Sequence, residues 1–116
     1  MNRQEVFNTV YKKLVAQGKR CANDHGNCSY ERDGMHCAVG HLLPEGHPGM
    51  SFQGSVYGLL HNHPDLKETL GIETDTDMDF LSSLQRAHDE WSPSRPLKDN
   101  MLYVASDYGL NTEVLS

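Results

Sequence analysis

Apolar residues recur at helical spacing in several separate stretches, and glycine or proline closes nearly every one. This punctuation limits the chain to short helices packed on one another. The first helix is expected over about 3–17, with Asn2 as its cap and Glu5 in the first turn. Val6, Phe7, Val10, Leu14 and Val15 form its stripe, and Gly18 stops it. Phe52, Val56, Leu59, Leu60 and His63 line a second helical stretch over about 52–62, broken at Pro64. Leu66 and Leu70 continue as a short helix, and Gly71-Ile72 has the pattern of a glycine stop followed by an apolar contact. Phe80, Leu81, Leu84, Ala87, His88 and Trp91 define a fourth helix, capped by Thr76 or Asp77. A last helix over about 96–108 turns Leu97, Met101, Val104, Ala105 and Tyr108 inward before Gly109-Leu110. Residues 111–116 read as a tail that frays.

The strand signal lies between the first two helices. Asp33-Gly34 is a strong hairpin turn, and it joins Cys28–Tyr30 to Met35–Val39. A two-residue turn pairs Tyr30 with Cys37, whereas a four-residue loop pairs Cys28 with Cys37. Either way the two sulfurs share a face, because strand side chains alternate. Cys37 to Leu43 then reads as a strand passing into a helical turn that ends at Pro44. The expected fold is therefore a single α+β domain spanning residues 1–116, mainly helical, with about five helices and one short hairpin near residues 28–39.

That hairpin carries the residues with the most chemistry. Zinc takes four nitrogen or sulfur ligands in a tetrahedron. Cys28, Cys37 and His41 supply three such groups, and His25 or Cys21 a fourth. The tight Cys-x2-Cys knuckle of ordinary zinc modules is absent, and inward cysteines beside Tyr30 and Val39 also suit a plain core. The reading leaves either no cofactor or one structural zinc. Three cysteines is an odd number, which favours thiols or metal ligands over a secreted disulfide framework.

Elsewhere, His61 and His63 with Asp65 offer a second metal pairing, although a bare His-x-His has little specificity and His61 also suits a helix C-terminus. His88 falls on an apolar helix face and reads as a buried, hydrogen-bonded histidine. Asp75, Asp77 and Asp79 lack the glycine and distal glutamate of a calcium loop. Phosphate-cradling glycine motifs and nucleophile elbows are absent.

The net charge of −6 is concentrated in one stretch. Residues 61–90 hold eight acidic and two basic residues. Such a balance excludes a cationic nucleic-acid face. It makes Asp65, Glu68, Glu73, Asp75, Asp77 and Asp79 the candidate contact for a partner with a basic surface. No stretch has membrane-span length, and the first residues show no apolar signal region, so a cytoplasmic protein is expected.

The opening Met-Asn-Arg-Gln-Glu-Val-Phe, the run Cys28-x-Tyr30…Gly34-x2-Cys37-Ala-Val-Gly-His41-Leu-Leu-Pro44 and the later Leu84-Gln-x2-His88-Asp…Trp91 resemble a group of small proteins of tailed phages and proteobacterial prophages. In similar sequences the position of His41 is often cysteine, an exchange that suits a metal ligand or a small core position. The resemblance assigns no catalytic residue. It implies an accessory protein acting in the bacterial host cytoplasm, where it binds and inhibits or modulates a host protein, for example in counter-defence against CRISPR effectors. The alternatives are a zinc-stabilised interaction module and a small metal-dependent hydrolase using His61, His63 or His88.

Overall fold

The structure is a computed structural model that describes residues 2–21, 30–32, 35–52 and 54–116. The described residues form five helices and one small hairpin, in accord with the sequence pattern: α1 Arg3–Gln17, β1 Glu31–Arg32, β2 Met35–His36, α2 Val56–Asn62, α3 Asp65–Thr69, α4 Asp75–Asp89 and α5 Leu97–Tyr108. Short 3-10 turns occupy Val39–Leu42, Pro48–Ser51 and Glu113–Leu115. No helix among the described residues is long and apolar enough to cross a membrane.

Helix α4 lies at the centre. Its inward face presents Phe80, Leu81, Leu84, Ala87 and His88, all buried, and α1, α2, α5 and the Val39–Leu42 turn pack around it. Burying a large aliphatic or aromatic side chain contributes roughly 1.5–3 kcal/mol, so this face is a main source of folding energy. The capping residue differs from expectation. Thr74 caps α4, in a capping box in which the Thr74 hydroxyl accepts from the Asp77 N–H while the Asp77 carboxylate accepts from the Thr74 N–H. The pattern Thr-x-x-Asp satisfies two otherwise orphaned donors. Thr76 and Asp77 therefore lie inside the first turn.

The glycine stops fall where expected. After α3 and α5, Gly71 and Gly109 adopt left-handed φ values of 71° and 64°. The next residue's N–H reaches back five positions, Ile72 to Lys67 O at 2.7 Å and Leu110 to Ala105 O at 2.9 Å, which closes each helix. The hairpin is shorter than the sequence suggests. Glu31 pairs with His36 and Arg32 with Met35. Pairing starts at Glu31, and Val39 already belongs to a 3-10 turn. The register places Tyr30 and Cys37 at the next positions out, in accord with the pairing of Tyr30 with Cys37 rather than of Cys28 with Cys37. Gln17 clamps β2 to the end of α1, accepting from the His36 N–H at 2.8 Å and donating to the His36 carbonyl at 3.0 Å.

Two expectations change on packing grounds. Val15 is 52% exposed, because the buried stripe of α1 consists of Val6, Phe7, Val10 and Leu14. The C-terminal tail is docked rather than frayed. Gln4 exchanges two hydrogen bonds with the backbone of Asn111, at 2.9 and 3.2 Å, and Leu115 is buried against the core.

The tightest backbone approach is at Gly40, where a Cβ would stand 1.8 Å from the Tyr30 carbonyl oxygen. Only glycine lets the 3-10 turn lie against the Tyr30 backbone. Gly40→Ala is expected to destabilise the protein by about 1–3 kcal/mol, read as a lower urea midpoint at unchanged m-value.

Candidate functional site

Of the four expected metal ligands, Cys28 and His25 lie outside the described residues. Cys37 and His41 are held in one turn, with the His41 N–H donating to the Cys37 carbonyl at 3.1 Å. Cys37 is a free, buried thiol, and its burial pushes it up to about 12. Cys21, the alternative fourth ligand, is disulfide-bonded, which corrects the expectation of a thiol or metal ligand at that position. His41 presents a buried Nε2 with no hydrogen-bond partner among the described residues. Desolvation, followed by the nearby His36 and Lys13 charges, lowers its pKa to about 4. Its ring lies 5.0 Å from that of His36. His41 is therefore a neutral imidazole with one unpartnered nitrogen.

The described residues bring three potential ligands together at a different corner. His47, His63 and Asp65 each offer a ligand atom, and these atoms all lie within 4.8 Å of one another. Such a His/His/Asp group is able to hold a metal ion. His63 is the C-cap of α2, and Asp65 opens α3 one residue beyond Pro64. His47 arrives from the loop before the Pro48–Ser51 turn, where its Nδ1 accepts from the Gly49 N–H at 2.8 Å. A backbone N–H can only donate, so the ring proton sits on Nε2 and is donated to Asp65 Oδ2 at 2.8 Å. That bond is the main cause of the lowered pKa of Asp65. The two imidazoles meet edge to face, with centroids 5.4 Å apart. The sequence pattern pointed to His63 and Asp65 but missed His47. Its signal was a second His-Pro pair, His47-Pro48, which local spacing could not connect to His63-Pro64.

His88 is fully buried and is spent on structure. Its Nε2 accepts from the Cys21 N–H at 3.0 Å, so its Nδ1 carries the proton and donates to Asp89 Oδ1 at 2.9 Å. His61 is exposed and outside the three-residue group. The histidines considered for a hydrolase thus do not converge: His63 joins His47 and Asp65, while His88 braces Cys21.

The candidate acidic contact divides in two. Asp65 binds His47. Asp77 pairs with Arg3 at 2.9 Å in addition to its capping bonds, and the backbone donors at Glu73 and Thr74 together with Arg3 hold its carboxyl below the usual carboxylate range. Asp79 accepts from the Tyr57 hydroxyl. Glu68, Glu73 and Asp75 are exposed and make no side-chain hydrogen bond or ion pair with the described residues. Comparison of the chain with protein-family models, curated proteins and solved structures finds no match.

Because His41 has a lower pKa folded than unfolded, the unfolded chain binds its proton first as pH falls. The stabilisation from keeping it neutral is complete above about pH 6.5 and is lost progressively down to about pH 4. His41→Gln should remove this part of the acid-induced loss, so the fall in urea midpoint between those pH values should be shallower than in the parent chain.

Proposed function

We propose that the protein is a small, non-enzymatic accessory protein of phage or prophage type. It acts in the bacterial cytoplasm by binding a host protein with a basic surface and inhibiting or modulating it, as a counter-defence factor directed at a CRISPR effector would. The observation that carries this reading is the set Glu68, Glu73 and Asp75: exposed carboxylates on α3, the α3–α4 connection and the start of α4, whose side chains make no hydrogen bond or ion pair with the described residues, beside acids that do. Unneutralised charge of one sign steers a partner of the opposite sign and discriminates against others. Arg3 pairs with Asp77, and the neutral His47 ring donates a hydrogen bond to Asp65, so the contact is narrower than the whole acidic stretch.

A second reading, a zinc-stabilised interaction module drawing on Cys37 and His41, is favoured by the buried Nε2 of His41, which has no hydrogen-bond partner among the described residues. Under that reading metal binding would couple to folding.

The test is capture of host proteins from a bacterial lysate with the tagged chain, compared with the triple variant Glu68→Lys, Glu73→Lys, Asp75→Lys. A stoichiometric partner that is lost in the variant, and weakened by salt in the parent, is expected. Undiminished capture by the variant would refute the acidic contact. Asp77→Lys should behave differently, lowering stability by about 1 kcal/mol or more through loss of the α4 capping box.

A further inference from the structure

We propose that His47, His63 and Asp65 form a binding site for a borderline divalent transition-metal ion such as zinc, with the remaining coordination positions open to solvent. This inference is independent of the host-protein reading and uses different side chains from the hairpin set.

The donor set has the right chemistry. Two imidazoles and a carboxylate are three ligands of kinds that zinc takes, and three protein ligands plus water is the arrangement of an open site. The separations also fit. Ligands about 2.0–2.1 Å from a tetrahedral ion stand about 3.3 Å from one another. The His47–Asp65 pair at 2.8 Å must open slightly, and the widest separation in the group, at most 4.8 Å, must close. Both adjustments are within the reach of side-chain rotation.

The backbone around the ligands is stiff. Each histidine precedes a proline, which confines the residue before it to extended or turn conformations. His47 sits at φ −64°, ψ 135° and His63 at φ −131°, ψ 71°. Pro64 also separates His63 from Asp65, so two ligands flank one rigid residue. The His47 side chain is 12% exposed and that of Asp65 is 64% exposed, which gives the group a protein floor and a solvent side.

One bond opposes occupation. Metal can bind His47 Nε2 only if the ring proton moves to Nδ1, which now accepts from the Gly49 N–H. The Gly49 contact must then be given up, so the site should bind more weakly than a closed structural zinc centre whose outer hydrogen bonds already suit the metal.

Cobalt(II) is the probe, titrated into the metal-stripped full chain. One saturable equivalent is expected, with visible d–d absorption and no thiolate-to-metal charge-transfer band. His63→Ala and Asp65→Asn should each weaken binding about tenfold or more, and His63→Gln, which keeps a side chain of similar reach, should do the same if His63→Ala proves unstable. His61→Ala, two residues away and exposed, should leave it unchanged. A thiolate band, equal weakening by His61→Ala and His63→Ala, or the absence of saturable binding would each overturn the assignment. In the last case the His47–Asp65 bond would serve only to pin the loop to α3.

Discussion

The inward face of α4 is the surface on which the rest of the molecule is laid. Its apolar residues supply the burial, and its polar ones are placed where a neighbour's backbone would otherwise go unsatisfied. Gln85 Oε1 accepts from the Val39 N–H at 3.2 Å, fastening the 3-10 turn that follows the hairpin. The Ala87 carbonyl accepts from buried Asn100 of α5 at 3.1 Å. His88 takes the Cys21 N–H. Each bond satisfies a group that would be costly to bury alone. The helix thus sets the position of α5, of the turn after the hairpin and of the chain beyond α1. Arg3 adds a link at the other end, pairing with Asp77 while its guanidinium lies 5.9 Å from the Tyr108 ring, so that α1, α4 and α5 meet at one cation.

What the sequence revealed was whatever is encoded locally. Apolar spacing and the glycine stops located the helices, since both act within one or two turns. The buried role of His88 was legible because its neighbours on the helix face are apolar. The capping residue of α4 was misplaced because Thr74, Thr76 and Asp77 are all plausible caps, and only the return bond from Asp77 selects Thr74. The docking of residues 111–116 was not legible at all. It depends on Gln4, 107 positions away along the chain, and on a core that α1 helps to build, against which Leu115 is buried. The same holds for His47, whose partners come from 16 and 18 residues further on. A composition-based reading sees a polar loop there; the structure makes it one wall of a three-residue cluster.

Charge shows the same division between local and tertiary information. The sequence located the acidic excess within residues 61–90, but treated its six candidate residues as equivalent. Tertiary structure sorts them. Asp77 is a helix cap and ion-pair partner, Asp65 a histidine partner and Asp79 a tyrosine partner. A carboxylate with two or three donors around it has little field to spare for a visitor, whereas one facing water retains its own. Under the proposed reading the side chains free to meet a partner are those of Glu68, Glu73 and Asp75, which make no hydrogen bond or ion pair with the described residues, and reversing Asp77 would mainly measure the stability of α4.

The histidines illustrate why residue type alone could not identify the chemistry. His88 has both nitrogens committed, one to a backbone amide and one to a carboxylate, so neither is available to a ligand without disrupting the fold. His41 has its Nε2 uncommitted but enclosed, and burial keeps it neutral. His47 lies between these cases. Its Nδ1 is held by Gly49, and its Nε2 proton points at a carboxylate largely exposed to water. A metal ion can take the place of the hydrogen bond between an imidazole and a carboxylate once the ring proton has moved to the other nitrogen, and the carboxylate then offsets part of the ion's charge. That substitution is open at His47, closed at His88, and at His41 requires an anionic partner that the described residues do not provide. The three environments arise from where the chain turns: mid-helix for His88, inside a 3-10 turn for His41, and just before a proline at the edge of a loop for His47.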